Sequence, residues 1–281
     1  MKKRAVVYTC LSALNLAVVL GVWPTAARAQ YENCDPFVLI DPGHGGTIAD
    51  TLPICDPPYN YGAPCWENLC HEREVNLAVA LRLGVILQTK ACQEGVDYYF
   101  TRKNDSKICN IDRARMAEQL GVQQFISIHH NGDTATNTNY TWTKYCDWDT
   151  TATPRKVRED TAALALKIWH KIRDTFNIAY KDPKVECGLT VLRNTSMASV
   201  LTEASFISNP SEARRFVDGD GIRDEAEAIY EGLCSYLSNA GVAIVQQSYS
   251  CFFYPNSGAV KVDNRWQASP FMTTWGEAGC P

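Results

Sequence analysis

An α/β fold, built on an open, twisted, mostly parallel sheet with helices on both faces of a single domain, is what the sequence predicts. Three observations lead there. Short apolar runs such as Phe37–Ile40, Val96–Thr101 and Gln124–His129 are too brief for helices and read as strands. Between such runs lie longer stretches with apolar residues three or four apart, as at Val75, Val79, Leu83 and Ile86. Strands alternating with helices in one sheet require crossover connections, and these generate the open α/β arrangement.

The chain opens on a segment of another kind. Met1-Lys-Lys-Arg4 is basic, Ala5 to Trp23 is mostly apolar, and Ala27-Arg28-Ala29 is a small-x-small cleavage site, so residues 1–29 read as a secretory signal peptide. An uncleaved anchor is the alternative, disfavoured because Thr9, Cys10, Ser12 and Asn15 break the apolar run. No other stretch is long and apolar enough to span a bilayer, so no stable membrane anchor is expected, and the location is periplasmic or secreted. Removing the leader leaves 252 of 281 residues, enough for one sizeable core. Its four charged residues are basic, so 23 of the 27 Lys and Arg remain against 31 Asp and Glu, a formal net charge of −8. That balance argues against nucleic acid as a partner. Eleven of the 12 cysteines also remain, with no Cys-x-x-Cys pair, which favours disulfides in an oxidising compartment over a zinc knuckle.

The first strand, Phe37–Ile40, stops at Asp41-Pro42-Gly43 and presents His44 in a turn closed by Gly45-Gly46. Thr47 to Cys70, rich in Pro and Cys, reads as a cross-linked loop, with bridges from Cys55, Cys65 and Cys70 restraining the path from His44 to Glu72. Glu72 opens a helix that ends near Gln88–Cys92. Val96–Thr101 is the second strand, Asp112–Leu120 a short helix stopped by Gly121, and Gln124–His129 the third strand. Residues 133–155 are polar and too long for an ordinary connection, and read as an inserted loop over the site. Leu164, Ile168, Ile172 and Phe176 mark a helix, Leu189–Arg193 and Val200–Glu203 two further strands, and Ile222–Leu237 a last helix.

In open α/β sheets ligands bind beyond the carboxyl ends of the strands. His44, His129 and Glu203 fall at such ends and Glu72 at the start of the helix after the first strand. Two histidines and a carboxylate form a known catalytic zinc set that leaves one position open, and Glu203 remains as a base beside the ion. Read alone, Glu72 is an ordinary first-turn glutamate, and His71 with Glu74 offers a rival pair one helical turn apart. His129 and His130 point to opposite faces of an extended strand, so one of them reaches a metal and His130 is read as lying behind it. Asn131 is read as a turn residue that hydrogen-bonds substrate.

Residues 37–46, Glu72-Arg-Glu-Val-Asn-Leu77, Thr101-Arg102, Ser127-Ile-His-His-Asn131 and Leu201-Thr-Glu-Ala-Ser-Phe-Ile-Ser-Asn-Pro-Ser-Glu-Ala213, in this order, resemble the zinc-dependent N-acetylmuramoyl-L-alanine amidases of the AmiA/AmiB/AmiC type. The resemblance covers about residues 36–240. It implies one Zn2+ ion held by His44, Glu72 and His129, Glu203 as the catalytic residue, and peptidoglycan as substrate, cut between N-acetylmuramic acid and L-alanine. An activator protein, of unknown identity, is a further partner considered. Departures from the pattern are His130 where a small residue is usual, Ser205 for Gly and Ala198 for Pro, besides the loops 47–70 and 133–155. A zinc peptidase or carboxypeptidase acting on wall peptides, and a wall-binding module without catalysis, are the alternatives; the latter does not explain four polar site residues. The catalytic domain is expected over 30–240. Residues 241–281, with Cys251, Trp266, Trp275 and Cys280, are expected to pack back on it, the alternative being a carbohydrate-stacking surface.

Overall fold

The computed structural model describes residues 38–50, 54–55, 60–89, 96, 98–147 and 155–239, with backbone alone at 155–158, 239, 259–262 and 265–268. They belong to the larger of two compact units, residues 35–281. The expected leader lies outside the described residues, and so does most of the 241–281 extension, of which a two-stranded antiparallel ribbon, 259–262 with 265–268, is described.

The main sheet is built from β1 (Val38–Pro42), β2 (Tyr98–Phe100), β3 (Gln124–Asn131), β4 (Trp142–Tyr145), β5 (Lys184–Val185) and β6 (Ala198–Phe206), in the order β2-β1-β3-β6-β4-β5. The first four of that order are mutually parallel, whereas β4 runs antiparallel to β6 and carries β5 beside it. Every residue of β1 and β6 is buried, as strands covered on both faces must be. Alternate residues serve different layers. Val38, Ile40, Ile126, Ile128 and Val200 pack against helices α1 (Glu72–Thr89), α3 (Arg155–Phe176) and α6 (Asp220–Asn239). Leu39, Phe125 and Leu201 pack on the other face with Met116 and Ala117 of α2 (Asn110–Leu120) and Val191 and Leu192 of α4 (Thr190–Arg193). The predicted open sheet with helices on both faces is thus present.

Several elements differ from the sequence reading. Leu189–Arg193 is not a strand: Val191 and Leu192, adjacent in sequence, are both buried, which one helical turn allows and alternation does not. The segment 133–155 is not all loop, since Trp142–Tyr145 forms β4. Its buried side consists of Thr141 and Thr143, so the inward positions carry no apolar signal. Strand β5 is two exposed residues and gives no signal at all. Strands β3 and β6 both run further than expected, to Asn131 and Phe206, so Asn131 is a strand residue and Glu203 lies within its strand. Helix α5 (Pro210–Val217) is absent from the sequence reading, although Asn209-Pro210 carries its signal: the Asn209 side chain accepts from Ser211 N at 3.0 Å, with proline at the first helical position.

The structure pairs Cys55 with Cys109, Cys65 with Cys70 and Cys146 with Cys187, and Cys234 is disulfide-bonded as well. Two of these bridges bound the path from His44 to Glu72, as expected. The third ties the end of β4 to the residues just after β5.

Candidate metal centre

Beyond β1 the chain turns sharply. Gly43 N donates to Ile128 O at 3.0 Å, and His44 then adopts a φ of 60°, unusual for a residue with a Cβ. The conformation persists because buried guanidiniums hold the turn's carbonyls. Arg102 donates to Pro42 O and Gly43 O, each at 2.9 Å, while Arg113 donates to Pro42 O at 2.8 Å and also to His44 O. Arg113 in turn pairs with Asp41 at 2.6 Å, both side chains being buried, and Asp41 accepts from Thr101 and Ser127. Burial alone would raise the Asp41 pKa, but the Arg113 charge and these hydrogen bonds outweigh it and hold the carboxyl below the usual range.

Glu72 is presented by a tight hairpin. Cys65 N donates to Cys70 O, Glu72 N to Ala63 O, and Ala63 N back to Glu72 Oε2, all at 2.9 Å. The remaining carboxylate oxygen, Oε1, lies 3.0 Å from His44 Nε2 and 3.1 Å from His129 Nδ1, and the two imidazole nitrogens are 3.1 Å apart. An equilateral group of this size is what a tetrahedral ion needs, since ligand bonds of about 2.0–2.1 Å place neighbouring donors about 3.3 Å apart. Proton bookkeeping points the same way. His44 Nδ1 donates to Asn60 O at 2.7 Å, which leaves the Nε2 lone pair of a neutral ring facing another nitrogen and a carboxylate. Burial lowers the His44 pKa, but the Glu72 carboxylate overcomes it and raises it; burial raises that of Glu72, but His44 and His129 drive it well below the ordinary value. The centre of the group favours positive charge. His44, Glu72 and His129 thus fit a zinc ion, and they form a group of metal-ligating type among the described residues.

His71 and Glu74 do not join them, since the Glu74 carboxylate accepts from His71 N at 3.1 Å as a local cap. The His130 ring is buried behind the site, bonded to Asn76 Oδ1 and Glu225 Oε2 at 2.8 Å each. Asn76 Nδ2 donates to Gly43 O at 3.1 Å, so this network braces the turn from the far side.

Glu203 sits opposite His129 in the β3–β6 register and lines the same cavity of about 410 Å³ as His44, Glu72 and His129. Its Oε1 accepts from Lys144 Nζ at 3.1 Å, and its Oε2 is buried with no partner. Burial is the main influence and raises the Glu203 pKa, with the Lys144 charge opposing. Asn131 also lines the cavity, its Nδ2 buried without a partner and therefore in want of an acceptor.

Sequence reasoning overlooked Arg113, Asn76 and Lys144. Arg113 had a signal, a charge on the apolar face of α2 beside Ala114, Met116 and Ala117. Asn76 had one too, lying one turn after Glu72. Lys144 had none, because the segment carrying it read as loop.

Gly43 makes the close approach possible, since a Cβ there would lie 2.2 Å from His129 Nε2. Gly43→Ala is therefore expected to displace His129 and lower zinc affinity by about 10–100-fold, the range seen when a ligand's support is disturbed. Chelator competition on the purified variant checks this, and parental affinity would contradict it.

The family described as N-acetylmuramoyl-L-alanine amidase matches residues 38–235. Among similar proteins, N-acetylmuramoyl-L-alanine amidase LytC of Bacillus subtilis is 28% identical over 200 residues, which are 71% of this chain and 35% of LytC. AmiA of Escherichia coli is 27% identical over 246 residues, 75% of this chain and 79% of AmiA. The chain thus spans about a third of the length of one of these relatives and most of the other. A crystal structure of N-acetylmuramoyl-L-alanine amidase from Clostridium difficile 630 superposes with a TM-score of 0.61 at 26% identity, covering 74% of this chain and 99% of that one.

Proposed function

The chain belongs to the N-acetylmuramoyl-L-alanine amidase family, and on that footing we propose that it is a zinc-dependent hydrolase of the amide joining N-acetylmuramic acid to L-alanine in peptidoglycan. The observation that carries the reading is the triangle of His44 Nε2, Glu72 Oε1 and His129 Nδ1 beside the unpartnered Oε2 of Glu203 in one cavity. His44, Glu72 and His129 would hold the ion. A bound zinc would supply Lewis acidity, polarising a carbonyl and lowering the pKa of water at the site to about 7.

The side chains do the rest. Lys144 fixes Oε1 of Glu203, leaving Oε2 to accept a proton from the attacking water and deliver it to the departing alanine nitrogen. Asn131 Nδ2 offers its hydrogen to a substrate oxygen. The buried Asp41–Arg113 pair and Arg102 keep His44 aimed while this happens. The domain plan is a leader over 1–29, the catalytic domain over 30–240 and an extension over 241–281. A periplasmic or secreted location agrees with the disulfides and with a wall substrate.

Digestion of purified sacculi followed by mass spectrometry tests the reaction. Stem peptides with a free alanine amino terminus, and glycan strands stripped of peptide, are expected. Peptide fragments cut internally, with alanine still attached to the glycan, would replace this reading by that of a wall peptidase.

A further inference from the structure

The edge of the sheet next to Glu203 carries a strip of aromatic and cationic side chains. Trp142 of β4 is directly opposite Glu203 of β6, and such pairs share a face with their Cβ atoms about 5 Å apart. Lys144 connects the two, its Nζ being 3.1 Å from Glu203 Oε1 and 5.0 Å from the Trp142 ring centre. Two more ammonium groups surround the same indole, Lys181 at 5.1 Å and Lys184 at 5.5 Å, and Lys181 also stands 4.0 Å over Tyr140. The strip is held in place from below: Trp142 Nε1 donates to Asp182 O at 3.0 Å and Lys181 N to Thr141 O at 2.9 Å.

We propose that this strip is the subsite for the stem peptide, binding its free carboxylates on Lys181 and Lys184 and its backbone against Trp142. The proposal rests on the amidase reading and extends it to one side of the scissile bond. Three observations favour that occupant. Of the three lysines that ring the indole, Lys144 is matched by Glu203 and Lys184 by Glu186, while Lys181, exposed over Tyr140 and Trp142, has no carboxylate partner among the described residues and suits an acidic ligand. The strip begins at Glu203, the residue assigned to the leaving nitrogen, and ends at exposed Lys181 and Lys184, which puts cations within reach of a peptide attached to that nitrogen. Finally, a carboxylate already meets the strip: Glu186 pairs with Lys184 at 2.6 Å, on the surface, where such pairs are weak and readily exchanged. A peptide always brings its C-terminal carboxylate, and acidic side chains add to it.

Calorimetric binding of a synthetic stem peptide to the full zinc-loaded protein tests this, with its carboxylates free or amidated. The parent is expected to bind the free acid at least tenfold more tightly than the amidated form, and Lys181→Gln with Lys184→Gln to abolish the difference. On soluble wall fragments the double variant should raise KM about tenfold with kcat within twofold. Equal binding of both peptide forms by the parent, no binding of either, or a double variant that still discriminates would overturn the subsite. A parent that binds the free acid selectively but cuts no wall amide would instead overturn the amidase reading, so the two failures are told apart.

Discussion

Replacing His44, Glu72 or His129 by alanine is expected to strip the protein of zinc and of activity together. Each change leaves two protein ligands where three converge within 3.0–3.1 Å of one another. Loss of support around a ligand costs about 10–100-fold in affinity, and loss of the ligand itself should exceed that. The effect on Glu72 should be the most damaging to geometry, because its two oxygens also accept from Ala63 N and His130 N. His71→Ala provides the contrast. His71 lies next to Glu72 in sequence but outside the cluster, so its variant should keep metal at the parental ratio. Metal analysis of the four purified proteins checks the assignment, and a metal-free His71→Ala protein would move the middle ligand to the neighbouring residue.

Asp41→Asn is expected to cost about 3–5 kcal/mol of stability, the usual consequence of removing one partner of a buried ion pair. Asparagine keeps nearly the same shape, so the loss reports the charge left on Arg113, whose side chain is buried beside Asp41. Against the 5–15 kcal/mol of a typical domain this is a large share. The pH dependence has a definite sign. Asp41 has a lower pKa in the fold than the roughly 3.9 of an unfolded aspartate, so its contribution is complete above about pH 4 and fades as pH falls toward the folded value. Urea unfolding at neutral pH should show the full deficit, and the gap between parent and variant should narrow in acid. An unchanged midpoint at pH 7 would mean that the Arg113 charge finds another carboxylate or water.

The parallel half of the sheet was legible because burial on both faces leaves continuous apolar runs, as in Val38–Ile40, and because α1 repeats its apolar residues with the helical period. The antiparallel edge was not. Its buried positions are Thr141 and Thr143, whose hydroxyls look polar in a sequence although one of them, Thr141 Oγ1, is spent on Ala204 O at 2.8 Å. The positions of the four candidate residues were legible as strand ends and a helix start, even though Glu203 proved to lie within a longer strand. What supports them was hidden, because Arg113 reaches Asp41 across 72 positions of sequence and Lys144 reaches Glu203 across 59. Contacts at such separations leave no local pattern.

The central claim separates a residue that serves the chemistry from residues that hold the ion. Glu203→Gln tests it most directly, because glutamine preserves size and one hydrogen-bonding oxygen for Lys144 but cannot take up a proton. Zinc content and release of stem peptide from sacculi are measured on the same preparation of this variant and of the parent. Zinc at the parental ratio with turnover lower by about 100-fold or more is the expected result, whereas a variant that loses its zinc, or one that cuts at the parental rate, would contradict the role assigned to Glu203.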